Sequence, residues 1–190
     1  MISVTATEYL KHRFGDRFRF YRLVFNLVAL VTLIPVVVYG ESIRGQVVFR
    51  WEGLMVIFQM LVLATSVLLF VAGARHYDRL QFLGLRQIRT GASPSVLTET
   101  GRLDMTGILG ITRHPWYLGG ILFMWVAYRS LDVSTLVTNI VLTIYLIVGT
   151  VLEERKLLME YSEEYRRYQN RVSMLVPFKY LKGMILGPVN

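Results

Sequence analysis

The apolar residues of this chain come in long, nearly unbroken blocks, and that distribution restricts its fold more than any other feature. The blocks occupy residues 23–39, 54–72, 116–128 and 133–152. A surface helix of a soluble domain shows polar residues at a 3.6-residue period, and these blocks do not. About 20 apolar residues suffice to carry a helix across the hydrocarbon core of a bilayer. Lipid offers the backbone no hydrogen bonds, so each such run has to pair its amides internally, as a helix does. Composition agrees, with 54% hydrophobic residues, 18% charged residues and a mean hydropathy of +0.46. The expected fold class is all-α: a polytopic membrane protein with four transmembrane helices and a cytoplasmic C-terminal helix. The length of 190 residues fits a single integral-membrane domain over 1–190. Its expected parts are a basic interfacial segment (1–22), the first two spans (23–73), a cytoplasmic segment (74–115), a helical hairpin (116–152) and a cytoplasmic tail helix (153–190).

The same pattern disposes of several function classes. A net charge of +8 invites nucleic acid as a partner, but no basic–aromatic platform stands apart from the spans, so none is expected. Basic residues flanking spans instead set orientation and meet anionic lipid. Five Lys/Arg lie in residues 1–22, six in 74–115 and seven in the tail, against two and one in the remaining loops. The positive-inside rule then puts both termini in the cytoplasm, which an even number of spans allows. There is no cysteine, so thiolate catalysis and cysteine-bound metals are excluded. His12, His76 and His114 are far apart in sequence, and no metal site is expected. The first apolar run contains Pro35 and lacks a small-x-small pattern, so it reads as a retained span rather than a cleavable signal.

Along the chain, Phe14, Phe18 and Tyr21 recur at helical spacing among basic residues, as in an interfacial helix. Pro35 is a candidate kink in the first span, and the second is entered at Trp51 and carries Gln59. Leu80, Leu83, Leu85 and Ile88 suggest a short amphipathic helix before Gly91 and Pro94. The third apolar run is short, and Gly119-Gly120 near its start allows a neighbouring helix or a ligand to approach closely. Residues 129–132 read as a tight turn, and Asn139 as the donor of an interhelical hydrogen bond. In the tail, Leu157, Tyr161, Tyr165, Tyr168 and Val172 form one helical stripe. Pro177 is expected to stop that helix and Gly183, Gly187 and Pro188 to mark a loose end.

Two polar clusters abut the last two spans. Thr112-Arg113-His114-Pro115-Trp116-Tyr117 precedes the third, and Glu153-Glu154-Arg155-Lys156 follows the fourth. Because those spans form a hairpin, Arg113 and Glu154 should meet at its cytoplasmic end. Pro115, preset in φ and needing no amide partner, suits the first helical position and keeps Arg113 and His114 outside the lipid. The pair is either an interfacial salt bridge that closes the hairpin or part of a reactive site. No ionisable residue lies deep within a span, which argues against a transporter. Tyr161, Tyr165 and Tyr168 near a carboxylate could hold a cationic cofactor through cation–π contact.

Residues 100–178 resemble the C-terminal half of isoprenylcysteine carboxyl methyltransferase-like enzymes, a superfamily that includes phospholipid methyltransferases. The resemblance rests on Gly110-Ile111-Thr112-Arg113-His114-Pro115-Trp116-Tyr117-Leu118-Gly119, on Glu153-Glu154-Arg155-Lys156-Leu157, on Tyr165-Arg166-Arg167-Tyr168 and on Val176-Pro177. Phe82-Leu83-Gly84-Leu85-Arg86-Gln87 and Leu175-Val176-Pro177 look like the methanethiol S-methyltransferase branch. The resemblance implies an integral-membrane methyltransferase that uses S-adenosylmethionine. It implies cofactor binding by His114, Tyr117, Leu118 and Glu153 or Glu154, with Tyr165 and Tyr168 of the tail, and places Arg113 and Glu154 near the reacting groups. The acceptor would be a small hydrophobic thiol or a lipid-borne thiol, carboxylate or amine, reached from the bilayer. Arg113 would stabilise a thiolate or a substrate carboxylate. His114 would be a base, a cap or a cofactor ligand, and Glu154 would offset the cofactor's charge or hold Arg113. The alternative is a non-catalytic membrane scaffold or partner subunit that keeps the hairpin for stability.

Overall fold

The protein is described from a computed structural model, which covers residues 12–13, 20–75 and 105–186. The expected interfacial segment 1–22, for the most part, and the amphipathic helix around Leu80–Ile88, with the Phe82–Gln87 motif, lie outside the described residues. The chain forms two compact units. Of the first, helix α1 (Tyr21–Ser42) is described; it contains Pro35 and the whole of the expected first span. Thr32 returns its hydroxyl to the Val28 carbonyl at 2.8 Å, which satisfies a polar group in the apolar middle of the helix.

The second unit holds every other described element. These are strand β1 (Val47–Arg50), helix α2 (Met55–Ala74), a 3-10 turn (Gly107–Gly110), helix α3 (Pro115–Val126), strand β2 (Ser130–Asp132), helix α4 (Val133–Arg171) and helix α5 (Phe178–Leu186). The fold is mostly helical, but the all-α expectation needs a correction. The segment read as a tight turn is β2, and it pairs antiparallel with β1 in the loop that precedes α2. Phe49 faces Leu131 and Arg50 faces Ser130, with an irregularity between Val47 and Phe49. The α1–α2 and α3–α4 connections are brought together, and pairing satisfies backbone groups that short loops would leave unpaired. Asp132 closes the sheet and caps α4, accepting the Thr135 amide at 2.8 Å.

Side-chain amides and small residues join the helices. Gly119 of α3 lies so close to α2 that an added Cβ would come within 3.3 Å of the Ser66 carbonyl and 3.4 Å of Leu69 Cβ. Ser66 Oγ donates to the Gly119 carbonyl at 2.8 Å. Gln59 donates to the carbonyls of Val126 and Tyr128, closing the C-terminal end of α3. Asn139 donates to Met124 at 2.9 Å, the interhelical bond expected of it. Trp125 reaches Thr143 of α4 at 3.1 Å.

Among the described residues, α2 and α4 are long and apolar enough to cross a membrane. Much of their apolar surface points outward, as in Leu61, Leu68, Ile144 and Tyr145, and this is the surface of an integral membrane protein. α3 is shorter, 12 residues, about 18 Å of rise against a ~30 Å core.

The tail departs from a straight stripe. α4 is apolar through residue 152 and polar from Glu153, and its course is interrupted at Ser162, which has φ 43° and ψ −116°. An unbroken helix would separate Glu154 and Gln169 by about 22 Å along its axis, yet their side chains meet at 2.7 Å. The chain therefore turns back at Ser162. Leu157, Tyr165, Tyr168 and Val172 are buried, as the stripe predicts, but across this fold-back. Pro177 does not stop the stripe helix, which ends at Arg171; it stands just before α5, where Leu181 donates its amide to the Pro177 carbonyl, and Gly183, expected in a loose end, lies within that helix.

Candidate functional site

A short backbone splice builds the site. Thr112 and Ser173 form a parallel bridge. The amides of Arg113 and His114 donate to the carbonyls of Ser173 and Met174 at 3.0 and 3.1 Å. The Thr112 hydroxyl donates to the Leu175 carbonyl at 2.7 Å. The segment before α3 is thereby locked to the segment after α4. Below it, the 3-10 turn begins at Gly107, whose φ of 55° suits a residue without a Cβ. Tyr168 holds that turn by donating to the Leu109 carbonyl at 2.6 Å.

Pro115 occupies the first turn of α3 and His114 its N-cap position, but the histidine side chain caps nothing. It turns instead to Glu154, where Nε2 lies 3.2 Å from Oε1. Arg113 grips the same carboxylate with two prongs, Nε to Oε1 at 2.6 Å and Nη2 to Oε2 at 2.8 Å. Its Nη1 donates to the carbonyls of Gln169 (3.1 Å) and Val172. Tyr165 donates to Glu154 Oε1 at 3.2 Å and Gln169 to Oε2 at 2.7 Å. Arg113, His114 and Glu154 are all buried, at 8%, 2% and 7% exposure, so the guanidinium and the carboxylate rely on these partners.

The electrostatics follow from that packing. Burial pushes the Glu154 carboxyl upward. The hydrogen bonds from His114 and Arg113, the Arg113 charge and the Gln169 amide outweigh it and bring the value down to about 2. Burial, reinforced by the Glu154 charge, pushes the Tyr165 phenol above its usual range, so it remains a donor. A carboxylate has room for about four hydrogen bonds, and Glu154 has used its share.

The structure thus brings together Arg113, His114, Glu154 and Tyr165 from the expected set. Tyr117 stands beside them, its ring edge-on to His114 with centroids 5.6 Å apart. Tyr168 is a neighbour of Tyr165, at 5.8 Å, but its hydroxyl serves the 3-10 turn. Leu118 is half-buried on the first turn of α3, outside the polar cluster. Glu153 is half-buried and makes none of the cluster's bonds, so Glu154 is the member of the pair that faces inward. Sequence reasoning missed Gln169, whose side-chain amide bonds the carboxylate, and Ser173, the hinge of the splice. The fold-back that delivers Gln169 does leave a trace: Ser162 followed by Glu163 and Glu164 is a helix-start pattern.

The sequence profile of the family described as NnrU protein matches residues 3–186. The methanethiol S-methyltransferase of Pseudomonas deceptionensis is 43% identical over 97 residues, 51% of this chain and 36% of that relative. Its namesake in Crocosphaera subtropica is 30% identical over 138 residues, 73% of this chain and 49% of the relative. That of Mycobacterium tuberculosis is 31% identical over 103 residues, 54% and 41% of the two chains. The matches span less than half the length of each of these relatives. No solved structure matches the chain.

Proposed function

The chain belongs to the NnrU protein family, and from that premise we propose that it is an integral-membrane methyltransferase using S-adenosylmethionine, with a small thiol as acceptor. The observation that carries the reading is the buried cluster in which Glu154 gathers Arg113, His114, Tyr165 and Gln169 at the entrance to α3. Segments of the methanethiol S-methyltransferases named above align with this chain and support a thiol acceptor.

The residues present suit the donor. A sulfonium is a cation, and the rings of Tyr117 and His114 stand next to a buried carboxylate. S-adenosylmethionine supplies a methyl group already activated for displacement. What remains for the protein is to orient the acceptor and to remove its proton, since the thiolate is the nucleophile. With Nε2 directed at Glu154, His114 keeps the Nδ1 lone pair for that proton. Arg113 has five N–H groups. Four serve Glu154, Gln169 and Val172, which leaves one Nη2 hydrogen for the thiolate. Glu154 in this scheme is a positioning residue: it fixes Arg113 and selects the histidine tautomer. With the donor bound, the methyl group would leave the sulfonium, which becomes a neutral thioether, for the acceptor thiolate that Arg113 and His114 hold ready.

A second reading has its own observation. The Glu154 carboxylate is fully occupied by protein donors, as in a clasp that closes a hairpin in a non-catalytic scaffold. Transfer of a radiolabelled methyl group to a panel of thiols, prenyl-cysteines, phospholipid amines and fatty acids decides the acceptor. Calorimetry in detergent decides the class. Affinity for S-adenosylmethionine with transfer to small thiols is the expected result; absence of affinity would leave the clasp reading.

A further inference from the structure

Helix α5 was not expected, and the methyl-transfer reading gives it no role. Its surroundings do. Ser173, whose carbonyl accepts the Arg113 amide, accepts the Lys179 amide on its hydroxyl at 3.0 Å. Lys179 Nζ donates to the carbonyls of Gln169 and Asn170 at 2.6 and 3.2 Å. The first turn of α5 is thus pinned to the backbone that carries Arg113. Arg113 lies two positions before α3, and its partner Glu154 lies two positions past the apolar half of α4. The helix therefore starts at the level where both apolar stretches end, where a bilayer around α2 and α4 would meet water.

Its composition suits that level. Phe178, Met184 and Ile185 are 70%, 69% and 80% exposed, and Leu181 is exposed beside them. At 3.6 residues per turn these four fall within an arc of about 120°. Exposed Lys182 flanks the arc, and exposed Arg155, Lys156, Arg167 and Arg171 lie on the polar half of α4. An apolar face with basic flanks is the pattern of a helix lying in the plane of an anionic membrane surface.

We propose that α5 docks its Phe178–Leu181–Met184–Ile185 face into the interfacial layer of an anionic bilayer and so tethers the Ser173 splice to the membrane surface. The occupant is lipid, and the proposal does not depend on the reaction catalysed.

The chain has no cysteine, so single-cysteine variants carry a label at one position. Ile185→Cys and Lys182→Cys in the full chain, spin-labelled in nanodiscs containing phosphatidylglycerol, give the test. The label at 185 should collide with oxygen and be shielded from a water-soluble nickel chelate, and the label at 182 should do the reverse. In nanodiscs of phosphatidylcholine alone, the label at 185 should lie shallower. Equal nickel access at both positions would overturn the proposal. So would shielding of position 185 from both reagents with dipolar broadening between labels, which would assign the face to a second copy of the chain. Exposed side chains make these replacements mild, and a melting curve matching the parent protein verifies that each variant is folded.

Discussion

Glu154 shows how much one residue decides here. Breaking one side of a buried ion pair costs about 3–5 kcal/mol, because the remaining charge stays buried without its partner. Glu154→Gln keeps the side-chain shape and loses the charge, so it should cost about 3 kcal/mol in unfolding measured in detergent. The pH dependence has a definite sign. The folded carboxyl titrates near 2, below the ordinary 4.5, so folding favours its ionised form. Its contribution is complete above about pH 4.5 and fades as the pH falls toward 2. Unfolding midpoints collected across that window should decline in the parent protein and decline less in Glu154→Gln; identical profiles would refute the assignment. Arg113→Ala should abolish methyl transfer while the protein still inserts into membranes. Retained turnover would remove Arg113 from the reaction. The meeting of Arg113 with Glu154 was legible in sequence, because both flank one hairpin. The choice of Glu154 over Glu153 was not, since it depends on the rotation of α4 about its axis.

At the scale of elements, two local geometries set the site. Gly119 lets α2 and α3 approach until Ser66 bonds across them. Gly119→Val would force the helices apart and should cost about 1–3 kcal/mol, read as a lower unfolding midpoint. Ser162 is the other. A non-glycine residue at positive φ costs about 1–3 kcal/mol, and Ser162 is the one among the described residues that has it. Ser162→Gly should therefore stabilise the protein by about 1 kcal/mol net of the added freedom of the unfolded chain. No change in midpoint would mean that the turn is not strained. The spans, the helix start at Pro115 and the tyrosine stripe were readable because each is a local pattern of apolar spacing or preset φ. The β1–β2 pair was not, because either strand alone is three or four residues long and is stabilised only by the other. The fold-back was hidden by a stripe that a straight helix would satisfy equally well.

For the whole molecule, the outward apolar surface of α2 and α4 makes a bilayer the natural surroundings, and the distribution of Lys and Arg supplies a direction. Reporter domains fused to either terminus should both report the cytoplasm; opposite readouts would contradict an even number of spans. The sequence by itself determined the apolar blocks, the membrane environment and the two polar clusters, because hydropathy and charge act locally and can be summed along a chain. Only the tertiary structure decided which groups complete the cluster begun at Thr112-Arg113-His114-Pro115. Tyr165 and Gln169 reach Glu154 because the chain reverses at Ser162, and Ser173 joins because a backbone splice lies opposite. A buried charge needs partners from wherever the fold can deliver them, and that delivery depends on how distant segments cross.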